Sequence, residues 1–428
     1  MRGLKLSPVK NTVLRQLLPV ILFIFLYQGV NAQFSVDAQL RTRGELRDGF
    51  QKIAPGDAVP AILIQQRTRL SFSYETPQMK LKITPQDFRL WGDQPKMSVS
   101  GVGHNPSLDL FEAFAAIKAG DMVTISVGRQ VLAYDNKRLI GERNWNQGKS
   151  YDALVLKLTP GKWNLHAGAS WNTLTEASAN NHYPSSRIKS LNYLWINRGI
   201  NERLKLSLMH ISSGHTESDT TNPMNFRHTT GFYGNYGGSL IGFWAGAYYQ
   251  YGKNRSGNRV SASLIESELS LKTGKLSPGI GVSLLSGNSK APGKGVTDRL
   301  FDPLYGNRHG FNGGMDYFTN YPVQTKQGGL ADYYIWLSYS FSDKVSVRNT
   351  LHHFSLAQSN PMTPKEKQLG FENDLILQYK FSSWGNIETG YAFFLPTGSL
   401  KTIQGGDSDN FNQFFYIQLL VSPAIFRQ

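Results

Sequence analysis

From Phe34 to Arg47 the sequence alternates. Phe34, Val36, Ala38, Leu40, Thr42 and Leu46 fall on one face. Ser35, Asp37, Gln39, Arg41, Arg43, Glu45 and Arg47 fall on the other. Period two is the repeat of an extended strand, whose side chains point to opposite faces in turn. A soluble half-buried strand can alternate too. Here the polar face is charged almost throughout, which suits a watery lumen better than a packed layer. The pattern returns along the chain. Ile64, Leu70, Phe72 and Tyr74 oppose Gln65, Arg67, Arg69, Ser71 and Ser73. Tyr333, Ile335, Leu337, Tyr339 and Phe341 form another apolar face. Leu375, Leu377, Tyr379 and Phe381 oppose Glu372, Asp374, Gln378 and Lys380, and Ile387, Tyr391, Phe393 and Leu395 oppose Glu388, Gly390 and Ala392.

Read this way, the chain offers 18 candidate strands: 34–47, 61–74, 79–91, 107–118, 121–131, 149–159, 162–172, 187–197, 202–212, 226–236, 239–251, 258–272, 276–286, 331–341, 344–356, 368–381, 384–395 and 411–422. Short connections such as ETPQ, KAGD, TPGK and FSDK alternate with long ones, among them 48–60, 92–106, 132–148, 173–186 and 287–330. That alternation is the rule of a transmembrane antiparallel β-barrel, with short periplasmic turns and long extracellular loops. An even strand count puts both termini on the periplasmic side. Two segments fit poorly. Pro85 switches the faces of 79–91, so a bulge is expected there, and 187–197 shows no clean parity.

Composition and the N-terminus agree with an all-β barrel. The sequence holds 42 glycines, 12% aromatics and only 18% charged residues, as lipid-facing belts, aromatic girdles and many turns require. Arg2, Lys5, Lys10 and Arg15 precede the apolar run Leu17 to Tyr27, and Val30-Asn31-Ala32 follows. The run falls short of the roughly 20 apolar residues of a spanning helix, so 1–32 reads as a cleaved signal peptide. The barrel domain is then 33–428, and the expected location is the outer membrane of a Gram-negative cell. Removing the four basic signal residues leaves +11 of the formal +15, a balance that favours anionic partners. With no cysteine, neither disulfides nor thiolate metal sites can contribute.

An 18-stranded barrel is wide enough for an aqueous channel, so the inward residues decide function. Arg41, Arg43, Arg47, Arg67 and Arg69 would stack as a ladder on neighbouring strands. Glu112, Glu266, Glu268, Glu372, Asp374 and Glu388 would oppose them from other walls. Arginine suits a carboxylate path because its fork binds carboxylates in bidentate fashion and keeps its charge. The same residues could instead brace the lumen as ion pairs.

Densest in charge is 128–153, GRQVLAYDNKRLIGERNWNQGKSYDA. It contributes Gly128-Arg129-Gln130, Arg138-Leu139-Ile140-Gly141 and Trp145-x-Gln147-Gly148-Lys149-Ser150-Tyr151-Asp152. Leu110-Phe111-Glu112-Ala113-Phe114 precedes these motifs. Phe301-Asp302-Pro303-Leu304-Tyr305, His309-Gly310-x-x-Gly313 and Asp316-Tyr317-Phe318 follow later. In order and spacing the set resembles the alginate-export family of outer-membrane β-barrels. The resemblance implies a monomeric 18-stranded channel with an electropositive constriction through which a polyuronate chain would pass outward in single file. It points to Arg129, Arg138 and Asp152 as pore-lining, with Arg143 and Lys149 beside them. Lys149 stands where the family often has Arg. Parity groups Arg129 with Val123, Ile125 and Val127, so either a bulge near Gly128 turns it inward or it sits at the outer rim. Tyr134 and Trp145 could stack on sugar rings or pack the loop.

The 287–330 connection is long enough to fold into the mouth as a gate or plug, or to stay an exposed loop. No HExxH, GxSxG or P-loop occurs; a barrel hydrolase would need residues scattered over several strands. No cofactor is expected, and an exported barrel argues against nucleic acid. The partners expected are an anionic polysaccharide or oligosaccharide and outer-membrane lipid. A general porin for small anions is the other channel reading.

Overall fold

The computed structural model describes residues 32–93, 108–142, 144–290, 292–359, 366–407 and 409–428. The expected signal segment, Ala32 apart, and Arg143 lie outside these residues. The strands are β1 (Gln33–Asp48), β2 (Ala61–Glu75), β3 (Met79–Leu90), β4 (Leu108–Lys118), β5 (Val123–Gln130), β6 (Tyr151–Leu158), β7 (Trp163–Trp171), β8 (Ser190–Gly199) and β9 (Leu204–Thr216). They continue as β10 (Met224–Gly237), β11 (Ile241–Lys253), β12 (Arg259–Leu271), β13 (Leu276–Leu285), β14 (Leu330–Ser340), β15 (Val345–Ser355), β16 (Gln368–Ser382), β17 (Gly385–Pro396) and β18 (Asn412–Val421). Each pairs antiparallel with its sequence neighbours, and β1 pairs with β18 from Leu40↔Val421 to Asp48↔Gln413, which closes the barrel. Past Pro423, a short β19 (Ala424–Arg427) extends the last strand along the start of β1, setting Phe426 opposite Val36.

The wall follows the alternation. On β14, Tyr333, Ile335 and Leu337 are about half exposed on the outer face, at 50%, 52% and 48%, while Asp332, Tyr334 and Trp336 point inward. Closure removes every free strand edge, the condition for putting a sheet in lipid. The bulge expected at Pro85 is present. Thr84 pairs with Glu112 and Pro85 with Leu110, leaving Phe111 as the extra residue. Proline has no N–H for the ladder, so it suits such a break. The bulge buries both Phe111 and Glu112. β8 lacks parity because its inner face is also apolar: Leu191 and Tyr193 are buried beneath a loop, while Leu194 faces outward.

A buried apolar cluster sits inside the barrel. Two long loops, 131–150 and 286–329, fold inward at the long-loop end. Leu139 and Ile140 from the first pack with Phe301, Tyr317 and Phe318 from the second and with wall residues such as Ile211, Phe354 and Phe394. The loops also pair with each other. Ile140 bridges Tyr305, the Tyr305 N–H donates to Leu139 O at 3.0 Å, and the Asn307 N–H donates to Lys137 O at 3.0 Å. One turn of helix, α1 (Tyr321–Gln324), lies in the 286–329 loop, and α2 (Gly398–Gln404) in the loop before β18. The 286–329 connection is therefore folded into the mouth.

Candidate functional site

β1 and β2 place Arg41 opposite Arg67, with Arg43 and Arg69 one step along each strand on the same inward face. The four guanidiniums form the ladder that parity required. They are not open to the lumen, being only 1–9% exposed. The tip of the 131–150 loop lies across them and supplies their acceptors. Arg41 donates to Asn144 O and, at 2.8 Å, to Asn146 O. Arg43 donates to Trp145 O and to Asn146 Oδ1, both at 2.8 Å. Arg67 donates to Asn146 O and Asn144 Oδ1, both at 2.9 Å, and Arg69 to Gln147 O at 2.9 Å.

Wall residues hold the ladder from behind. Glu45 accepts from Arg43 at 2.6 Å and from Arg47 at 2.7 Å. Gln65, Gln39 and Gln86 accept from Arg43, Arg67 and Arg69. The Arg69 guanidinium lies 3.5 Å over the ring of Phe111, the residue that the Pro85 bulge turns inward. Trp145 lies flat between two planar groups: the Arg43 guanidinium is 3.6 Å from its ring centroid and the His309 ring stacks at 3.9 Å. Its indole therefore packs the loop in this conformation.

Arg138 joins the two loops to the wall. It is 2% exposed and pairs with Glu266 at 3.2 Å. It also donates to Asn312 Oδ1 and, at 3.1 Å, to Ser283 Oγ. Burial works against its charge, but Tyr321, Glu266 and Asp332 outweigh it and raise the pKa. Lys149 donates to Tyr305 O at 2.8 Å, another tie between the loops. Glu112 faces inward and pairs with Lys82 at 2.6 Å.

Arg129 and Asp152 are placed differently. They stand directly opposite on β5 and β6, with no register shift near Gly128. Their side chains share the face of Ile125, Val127, Leu154 and Leu156, the outer face of the wall. There Arg129 grips Asp152 through two 3.0 Å hydrogen bonds, with Asp109 at 3.7 Å. Of the two placements parity left open for Arg129, the structure has the outer rim.

Deeper in the barrel a cavity of about 430 Å³ remains between the loops and β11 to β18. Glu266, Glu268, Asp332, Asp374 and Glu388 line it, with Arg348 the sole arginine or lysine among its lining residues. Most of these acids have partners. His352 bonds Asp332 at 2.9 Å, Tyr334 donates to Glu268 at 3.1 Å, and Gln378 and Tyr416 donate to Glu388 at 2.8 Å each. Asp374 and Glu372 accept the backbone N–H groups of Gly314 and Met315, which pins the 286–329 loop to β16.

Several residues of this arrangement carried no sequence signal. Asn144 and Asn146 act through their main-chain carbonyl oxygens as well as their side-chain amides, and nothing in a loop's sequence marks which carbonyls will be used. Asn312 likewise holds Arg138, Asp332 and Tyr321 together from within a Gly-rich loop. Glu45 was open to inference: it lies between Arg43 and Arg47 on one face of one strand.

Among known proteins, the family model described as alginate export matches residues 32–413. No curated protein matches the sequence. Solved structures with a similar fold include OccK9 (OpdG) of Pseudomonas aeruginosa, with a TM-score of 0.63 at 12% identity over 92% of this chain and 98% of that one. OpdK of the same organism, solved with vanillate, gives 0.60 at 13% over 93% and 99%. OccAB4 of Acinetobacter baumannii gives 0.61 at 13% over 93% and 99%. At such low identity these likenesses speak to the barrel fold alone. The family match spans nearly all of the barrel, and on that ground the chain belongs to the alginate-export family of outer-membrane β-barrels.

Proposed function

We propose that this outer-membrane channel passes a negatively charged polysaccharide or oligosaccharide, of the polyuronate type, by passive and anion-selective diffusion. The mature protein would be residues 33–428 acting as a monomer, without cofactor or catalysis. The observation that carries the reading is the arginine ladder of Arg41, Arg43, Arg67 and Arg69, whose acceptors on the lumen side are neutral oxygens of the chain's own loop, Glu45 behind Arg43 being the one carboxylate bonded to it among the described residues. Bonds from a guanidinium to a carboxylate are roughly twice as strong as those between neutral groups. A uronate carboxylate is thus a better occupant of the ladder than the loop that covers it. Displacement of residues 144–147 would open the path and hand the arginines to the solute. The facing carboxylates of the deeper cavity keep net binding weak, so that the solute leaves as readily as it enters.

A porin for small anions is the second reading, favoured by how much of the lumen the two loops fill. Reversal potentials across a salt gradient in planar bilayers test both. Anion selectivity with block by oligouronates supports the polymer path. Anion selectivity without block supports the porin, and cation selectivity sinks both.

A further inference from the structure

A second cavity, of about 580 Å³, opens among the long loops. Its volume falls within the roughly 300–1,000 Å³ usual for ligand sites. Residues from the 172–189 loop, the β11–β12 tip and the 286–329 loop meet there, so it forms part of the extracellular mouth. Its lining holds five basic side chains, Arg187, Arg227, Lys253, Arg255 and Arg308, against a single carboxylate, Asp302. Two of the arginines are held in place. Arg227 meets Asp302 at 3.0 Å, and Arg308 meets the other Asp302 oxygen at 3.2 Å and donates to Thr319 O at 2.9 Å. Burial raises the Asp302 pKa, but Arg227 and Arg308 more than offset it, so the carboxyl lies below its usual range and stays charged. Arg187, Lys253 and Arg255 are exposed at the rim of the cavity. Ser186, Asn254, Ser256 and Asn320 add hydroxyls and amides suited to sugar hydroxyls.

The two cavities are opposite in sign. The mouth has five bases to one acid, whereas the deeper cavity has five acids to one arginine, its two histidines aside. A cleft of one sign raises the local concentration of its counter-ion and the rate of encounter by about 10- to 1,000-fold, an effect that salt suppresses. The ladder cannot serve this purpose from solution, because the loop covers it.

We propose that the basic extracellular vestibule formed by Arg187, Arg227, Lys253, Arg255 and Arg308 is a capture site for carboxylate-bearing oligosaccharides arriving from outside the cell. The inference rests on the polyanion reading above and deepens it: a solute in the outer medium meets this vestibule before it meets the covered ladder. Arg227 and Arg308 form the rigid floor, and the three exposed bases draw the solute in.

The experiment uses the full mature barrel in planar bilayers. Its orientation is fixed by Asp343→Cys in the β14–β15 turn and a thiol reagent applied to one side; the native chain has no cysteine to interfere. The probe is a uronate hexasaccharide, and the readout is its rate of block from each side at low salt. The expected on-rate is about tenfold higher or more from the long-loop side, converging with the other side as salt rises. The triple variant Arg187→Gln, Lys253→Gln, Arg255→Gln should abolish that difference, while Arg129→Gln on the outer wall keeps it. Equal rates from both sides in the native barrel, or an asymmetry that survives the triple variant, would overturn the capture site and leave the anion channel standing. Block from neither side would overturn the polyanion reading itself, and the capture site with it.

Discussion

Arg67→Met tests whether the ladder latches the 131–150 loop. Methionine keeps much of the side chain's volume and removes every donor. Two of the seven ladder-to-loop hydrogen bonds disappear, those to Asn146 O and Asn144 Oδ1 at 2.9 Å each. A hydrogen bond involving a charged group contributes about 1.5–3 kcal/mol, so the gross loss is roughly 3–6 kcal/mol. Much of it is recovered. Arg41 still donates to both Asn144 O and Asn146 O, and Arg43 still holds Trp145 O and Asn146 Oδ1. Water in the lumen can also take over the freed carbonyls. A net weakening of about 1.5–3 kcal/mol raises the undocked population of the loop by roughly 10- to 150-fold, at about 1.4 kcal/mol per decade. Single-channel recordings should then show longer or more frequent openings to a larger conductance. Arg129→Met is the matched control, because Arg129 binds Asp152 on the outer face and touches no part of the loop tip. If Arg67→Met records like the native channel while still folding as a barrel, the loop is not latched by the ladder. If Arg129→Met opens the channel equally, the effect is a loss of general stability, and the latch is again refuted.

Three further outcomes are expected. The Arg138 and Glu266 side chains are each 1% exposed, and removing one partner of such a pair costs roughly 3–5 kcal/mol. Arg138→Met alone should therefore lower the Tm in detergent by more than the double variant Arg138→Met, Glu266→Leu; a double variant no better than the single one argues against the pair. Burial pushes the Asp135 carboxyl above its usual range, and hydrogen bonds from Ser207 and Trp195 return only part of that shift. The burial penalty is absent while Asp135 is protonated and sets in as pH rises through the carboxylate range. Asp135→Asn should raise the Tm at pH 7 and leave it nearly unchanged at pH 3, and an equal effect at both values contradicts this account. Gly128 has φ +118°, and a Cβ there would collide with the Ala113 carbonyl. Gly128→Ala should reduce the yield of heat-modifiable barrel on a gel, and native yield and mobility would show that the β4–β5 contact tolerates a side chain.

The wall was legible because membrane and lumen impose their contrast locally. A residue's neighbours two places away share its face, so the inward position of Arg43 and the outward position of Ile335 follow from parity alone. The same rule kept Arg129 grouped with Ile125 and Val127, even where motif resemblance pointed to the pore. Parity describes a strand that the register forces to alternate, and β5 pairs without a shift through Gly128. Motif order carries no such constraint and did not fix the face. The interior follows another logic. Inside the barrel, five of the seven hydrogen bonds from the four arginines to the loop end on main-chain carbonyl oxygens of residues 144–147, about a hundred positions from Arg41 and Arg43. Every residue has a carbonyl, so composition and spacing cannot single these out. For the same reason a formal charge of +15 did not predict where positive potential meets water. Four inward arginines face the chain's own loop, Arg138 faces Glu266, and a basic cavity opens at the mouth, among loops that no period describes. The sign of an open cavity depends on which charges the fold leaves uncovered, and only loop docking decides that.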